Sequence, residues 1–422
     1  MQAQEPTTHQ KKTAEKTFKI LFYLHLLLIT ILIFFLTIRG LISISHTHHF
    51  HPIHWYPPLL SSTACAAIAA FGWLAAARRN PSSTLKATFW LSPLLTFGAG
   101  VLLLIIGSAG ALAAAAIAII FALIQSIYAC WVVPRFDYAA RILSVSLSSP
   151  SAGATNLILV SITVGTVYSC FSVTGIGGAT ATSSRLDAIF ISVILLSFAW
   201  TMHVIRNISH VAISRVGYMY FAHGMEVDTR VAFHDTIKHS LGRVCIGSAM
   251  VPVLGVVRGS ARAMGLIAGD TDEFMFSCAN CYAGVATRVF AYGHRWGFVH
   301  VGVYDKGFVR ASVDTWEMFG RVGMESLIDS DITGSFCFLC GVAVGAMCTI
   351  VGGSWALVVD KDYATEVSIY AFLIGYFTSR ITMSWPQACV SGYYVAYAEK
   401  PQSLQFDATI PKRIQELQRS QA

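Results

Sequence analysis

The chain alternates long apolar runs with short polar breaks, not apolar with polar residues one by one. A bilayer crossing needs ~20 mainly apolar residues. Such runs lie at Ile20–Ile38, Leu59–Ala77, Ala87–Ile106, Ala111–Val133, Leu157–Val173, Ala188–Ile205, Val244–Leu266, Ile332–Val359 and Val367–Val395. A weaker candidate, Cys278–Phe298, carries Arg288, His294 and Arg295 and also fits a re-entrant or interfacial segment. The pattern predicts an all-α fold, a polytopic transmembrane helical bundle of about ten spans, with nine as the alternative.

The polar breaks carry their charge unevenly. Lys11, Lys12, Lys16 and Lys19 precede the first run, and Arg78, Arg79 and Lys86 lie between the second and third. Arg135 and Arg141 follow the fourth; Arg206, Arg215, Arg230, Lys238 and Arg243 follow the sixth. If every crossing is real, all of these fall on one side, and the positive-inside rule makes that side the cytoplasm. Ten crossings return the C-terminus, with Lys412 and Arg413, to the same side. The expected division is a cytoplasmic N-terminal segment over 1–19, a membrane bundle over 20–398 and a cytoplasmic C-terminal segment over 399–422. The first run follows a lysine-bearing tail and lacks a small-residue cleavage site, so it reads as a retained signal anchor.

Composition narrows the function classes. Of 422 residues, 55% are hydrophobic and 12% charged, against about 45–50% and about 25% in soluble domains. That excludes a soluble enzyme, a disordered chain and a nucleic-acid binder. The net charge of +7 is accounted for by the basic loops. The ten cysteines lie mostly inside apolar runs, which suits helix packing and not a secreted disulfide framework. Small-residue stretches such as Ala111–Ala118 and Gly341–Gly353 let helix backbones approach closely in lipid. No internal repeat supports an inverted-repeat transporter.

Candidate chemistry is sparse. There is no Walker loop, GxSxG elbow or HExxH motif, so neither an enzyme nor a cofactor is expected. Asp187 and Glu366 sit at run ends, where a carboxylate complements a helix dipole. The segment Ser45–His54 holds His46, His48, His49, His51 and His54. It either binds metal or decorates the surface; it lacks a Cys or acidic ligand, and no metal site is expected. Of two CxxC pairs, Cys337/Cys340 reads as packing, and Cys278/Cys281 as reduced thiols or a lipidated or redox-active pair near a membrane face. Arg380 lies deep in the last run and must face a cavity or polar partner, snorkel, or pack between helices. In Phe198–Val211, helical spacing puts Trp200, Val204, Asn207 and Val211 on one face and stacks His203, Asn207 and His210. A Trp face there either holds an organic cation by cation–π attraction or belongs to the interfacial belt.

Four stretches resemble the choline transporter-like family of multi-pass membrane proteins. Trp200-Thr201 with Val204, Asn207, His210 and Val211 is similar to the family's W-T-x-x-V-x-x-N-x-x-H-V. Val301–Phe319 resembles its Gly-Lys-x-Phe turn and following amphipathic helix, most closely in the plant-type form. Tyr393–Pro401 is similar to the closing Y-x-C-x-A-E-D-P, and Ser240–Val251 to a further S-x-G-x-I-x-x-G-S segment. The resemblance covers roughly Leu157 to Pro401; before it only the pattern of spans matches. The chain departs from the family at Asp305 (often Gly), Gln387 (commonly Glu), Lys400 (Asp) and His203 (an acidic or amide residue in some members).

The resemblance implies ten spans with both termini cytoplasmic, and facilitated, alternating-access movement of choline or ethanolamine. The partners implied are a small organic cation and the lipid bilayer, in the plasma membrane or in trans-Golgi or endosomal vesicles. Trp200 would be the main aromatic wall, Thr201, His203 and Asn207 polar neighbours, and Gln387 and Tyr394 contributors from the last run. The rival expectation is a non-transporting membrane protein that supports vesicle trafficking or lipid homeostasis.

Overall fold

The computed structural model describes residues 8–46, 50–148, 153–182, 185–268 and 273–421, and every element among them is helical. The first apolar runs fold as α1 (Thr8–His46), α2 (Pro52–Arg79), α3 (Pro81–Ile106) and α4 (Ala109–Val132), the last continuing through a short turn into α5 (Phe136–Leu147). Next come α6 (Ala154–Thr180), α7 (Asp187–His223), α8 (Thr229–Asp235), α9 (Leu241–Ala268) and α10 (Glu273–Phe290). The chain continues through α11 (Gly297–Tyr304), α12 (Phe308–Arg321), α13 (Glu325–Ser330) and α14 (Thr333–Val359). It closes with α15 (Lys361–Thr382), α16 (Ser384–Glu399) and α17 (Thr409–Gln421). Among the described residues, eight stretches are long and apolar enough to cross a membrane: α1, α2, α3, α4 with α5, α6, α7, α8 with α9, and α13 with α14. The chain is an integral, multi-pass helical membrane protein.

The two other expected spans take different forms. Val367–Val395 is not one helix; it divides at Met383 into α15 and α16. Pro386 explains the break, because it has no N–H for the Thr382 carbonyl and its ring clashes with that group. Cys278–Phe298 also divides. α10 folds back against α9 and ends at Phe290, and α11 begins only at Gly297.

α7 is longer than its apolar run. It continues past Ile205 to His223 and stops where Gly224 takes φ +65°, a conformation that costs glycine little. Arg206 and Arg215 therefore lie inside a helix, not in a loop as the run length implied. α14 sits centrally, packed on α2, α3 and α15. Ile117 and Ile127 of α4, Leu196 of α7 and Phe34 and Phe35 of α1 project outward as expected of lipid-facing residues.

The bundle has two chemically distinct ends. At one, Lys19 Nζ donates to the Lys238 carbonyl at 3.2 Å, and Glu15 pairs with Arg243 at 2.9 Å. Arg78 lies over the Trp385 ring at 4.4 Å and bonds Thr155 at 3.0 Å, and Arg215 pairs with Asp235 at 3.1 Å. The basic breaks thus gather at one end, as the sequence predicts. At the other end Ser108 meets Thr365 at 2.8 Å, Ser43 the Ala181 carbonyl at 3.0 Å, and His54 Asp360 at 3.5 Å.

A second layer caps the basic end. α5, α11 and α16 pack on α3 and on α7, and α12 on α11. α17 docks beneath, with Ile410 buried and Arg413 over the Tyr138 ring at 5.2 Å. α1 and α6 approach to backbone contact: a Cβ on Gly178 would stand 2.4 Å from the Leu36 carbonyl oxygen, and one on Gly40 2.6 Å from Gly178 Cα. Only glycine permits that crossing.

Candidate functional site

Successive residues of α7 point 100° apart, so its motif divides among three neighbours. Trp200, Val204 and Val211 turn toward α1 and α9. The Trp200 ring lies 4.8 Å from His25 and 5.4 Å, edge to face, from Phe22. Leu241, Val244 and Cys245 complete an apolar wall around it. The indole N–H has no hydrogen-bond partner among the described residues. Thr201 turns to α6, where its hydroxyl donates to Tyr168 Oη at 3.4 Å.

The third face of α7 carries His203, Arg206 and His210. His203 meets the Phe377 ring of α15 at 5.5 Å, edge to face. Arg206 donates through Nη1 to Asn207 Oδ1 at 3.2 Å and through Nη2 to Gln387 Oε1 of α16. Asn207 in turn donates to Ser248 Oγ of α9 at 2.9 Å. Two expected site residues, Asn207 and Gln387, thus hold Arg206, and His203 shares its face of α7. Trp200 lies on the adjacent face, and Thr201 is held by α6. Tyr394 is further off: fully buried, with its hydroxyl 3.0 Å from Tyr138 of α5.

Arg206 is itself the residue sequence reasoning missed. It follows an apolar run and so looks like a loop cation, yet its side chain is only 5% exposed. Arg380 of α15 lies against Gly341 of α14, one turn beyond Cys337. Arg295 is neutralised by buried Asp331. Among the described residues, Arg206 and Arg380 have no carboxylate partner, and Arg380 Nε and Nη1 and Arg206 Nε have no hydrogen-bond acceptor. A buried cation without a carboxylate partner, with a second, partly buried one on the neighbouring helix, is costly.

A third cluster occupies the basic end. Glu399 accepts hydrogen bonds from Tyr218 at 2.8 Å and from Tyr304. His300 Nδ1 meets Thr315 Oγ1 at 3.0 Å. Burial pushes the His300 imidazole down to about 4, with the Lys306 charge adding to the effect. Burial and the Glu399 contact push the Tyr304 phenol up to about 12. The Lys306 ammonium lies 5.3 Å from the Tyr304 ring centre. His300, Tyr304, Lys306, Arg310, Asp314 and Glu399 line a cleft of about 660 Å³. Its sequence signal was the Ala398-Glu399 of the closing motif.

The remaining candidates resolve simply. Among the described residues no cluster of three or more His, Cys, Asp or Glu is placed to hold a metal. His51 and His54 stack at 5.3 Å; His48, His49 and the His46 side chain lie outside the described residues. Cys337 and Cys340 are buried free thiols, against the Met383 carbonyl and Thr88, each at 3.6 Å. Cys281 is exposed and free; the Cys278 side chain lies outside the described residues. Asp187 opens α7, as its position predicts.

A family model described as plasma-membrane choline transporter matches residues 116–402, more than half of the chain. A relative from Mycosarcoma maydis called Protein PNS1 is 25% identical over 246 residues, 54% of this chain and 46% of the relative. Protein PNS1 of Gibberella zeae is 24% identical over 225 residues, 50% of this chain and 42% of the relative. Protein pns1 of Aspergillus fumigatus is 25% identical over 231 residues, with the same two shares, 50% and 42%. The chain therefore spans less than half the length of these curated relatives. The match takes in Trp200, Arg206, Gln387 and Glu399, but not α1 with Phe22 and His25.

Proposed function

This chain belongs to the plasma-membrane choline transporter family, and from that premise we propose that it moves choline or ethanolamine across the plasma membrane by facilitated, alternating-access diffusion. The observation that carries the reading is the ring cluster at the α1–α7 seam. Trp200 stands beside His25 and Phe22 within an apolar wall. Choline carries a permanent charge on a head group with no N–H to donate. Aromatic faces recognise such a cation without a buried carboxylate. The site would comprise Trp200 as the principal wall, with Thr201, His203 and Asn207 on neighbouring faces of α7, and Gln387 and Tyr394 contributed by α16 on the moving side.

The bend at Met383 supplies a hinge between α15 and α16, the kind of discontinuity on which transporters rock. The concentration of Lys and Arg at one end supports a cytoplasmic reading of that end, in which the segments 1–19 and 399–422 lie there and the bundle runs over 20–398. An inside-negative potential then drives a cation inward with ~2.3 kcal/mol per 100 mV, so no coupling ion is required.

The test is uptake of labelled choline and ethanolamine into proteoliposomes holding the full chain, with and without an imposed inside-negative potential. The reading predicts saturable uptake that rises with the potential. A folded, reconstituted protein that takes up neither amine would contradict it and favour a trafficking or lipid-homeostasis role.

A further inference from the structure

Buried Arg206 and partly buried Arg380 at the bend ask for a negative charge that the described residues do not provide. Phe377 of α15 meets His203 of α7 at 5.5 Å; Arg380 and Arg206 each stand three residues further along their helices, on the same faces, and Arg380 lies against Gly341 of α14. The one buried carboxylate nearby, Asp331, is engaged by Arg295. Arg206 is 5% exposed, and its Nε is without an acceptor; so are Nε and Nη1 of Arg380. Ser384, the first residue of α16, is fully buried with an unpartnered hydroxyl. Helical spacing puts it on the face of Gln387, whose amide oxygen holds Arg206. Donors from three helices thus converge on one region, while acceptors are few.

We propose that Arg206 and Arg380, with the Ser384 hydroxyl at the bend, bind one compact anion: a free halide or phosphate ion, or the phosphate group of a phosphorylated amine. A guanidinium is built for this, because its planar N–H groups match an oxyanion or halide and its charge cannot be discharged. Occupancy would cancel the field that two unpaired guanidinium groups set against any cation passing Trp200, only two helical turns away on α7. The site stands on the arginines alone and does not depend on choline being the cargo.

Thermal unfolding of the purified full chain tests it, in detergent, at constant ionic strength made up with gluconate. Chloride, inorganic phosphate, phosphocholine and choline are titrated separately. The proposal expects the unfolding midpoint to rise saturably with an anion; any rise with choline alone belongs to the Trp200 site and should be the same in wild type and Arg380→Gln. Arg380→Gln should raise the half-saturating concentration by roughly tenfold or more, the loss of a charge-assisted bond. Arg206→Gln should abolish the response; should that variant fail to fold, Arg380→Gln and the wild-type titration still decide. Saturation by chloride or phosphate identifies a free anion, and saturation by phosphocholine alone identifies the phosphate of a substrate. An unfolding midpoint that responds saturably to none of the three anions, or responds identically in Arg380→Gln, overturns the site.

Discussion

Arg206 of α7 rests on the amide oxygen of Gln387 in α16, so a buried cation is met across this helix contact by a neutral group. In the family that this chain resembles, a glutamate commonly stands there. Gln387→Glu should therefore convert the contact into an ion pair and stabilise the fold. Gln387→Ala should leave Arg206 Nη2 unsatisfied and cost about 1–3 kcal/mol. Unfolding midpoints of the two variants in detergent, measured against wild type, check this. Equal midpoints for Glu and Ala would show that the contact carries no energy.

Gly178 is where α1 and α6 touch backbone to backbone. Gly178→Ala drives a methyl group into the Leu36 carbonyl and should destabilise the bundle by about 1–3 kcal/mol. Gly72→Ala is the control, since nothing lies within 4 Å of its added Cβ. Yield of monodisperse protein and unfolding midpoint should fall for the first and not the second.

The basic end should be acid-sensitive. Burial holds the His300 imidazole at about 4 and His294 at about 3, whereas an unfolded chain restores ~6.5. The unfolded state binds more protons between those values. Stability present above pH ~6.5 is therefore lost as pH falls toward 4. His300→Gln removes one such proton and should flatten the fall in unfolding midpoint between pH 6.5 and 4. A slope equal to that of wild type would show that His300 is not held neutral.

Much of this was legible in the sequence because lipid forces each span to declare itself as an apolar run. What stayed hidden were places where an apolar run continues through a structural change. Val367–Val395 reads as one span, and only Pro386, whose missing N–H interrupts the ladder, marks the bend. Arg206 looked like a loop cation because polarity begins there, while α7 itself continues under the cover of the basic-end layer. The Trp200 face was visible from helical spacing, but its ring partners Phe22 and His25 come from α1, distant in sequence and outside the family match. Asn207 and Gln387 were expected as polar contributors from separate runs; the guanidinium of Arg206 that joins them left no such signal.

The histidine segment should prove dispensable. Replacing His46, His48, His49, His51 and His54 together by Ala removes an exposed contact to Asp360 and should change amine uptake by no more than about twofold, the scale of surface substitutions. Uptake kinetics in the presence and absence of a zinc chelator check it. A large loss in the variant, or chelator sensitivity in wild type alone, would give the segment a metal-dependent role.

The most direct measurement compares choline uptake in wild type, Trp200→Phe and Trp200→Leu at matched reconstitution. Leucine keeps apolar volume but removes the ring quadrupole, worth ~2 kcal/mol or more when desolvated. The half-saturating choline concentration should rise by roughly thirtyfold for Leu, with Phe falling between. Membrane insertion should be unchanged. Half-saturation that is the same in wild type and Trp200→Leu would contradict the account, because the ring beside His25 and Phe22 would then be packing and not the wall that meets the cation.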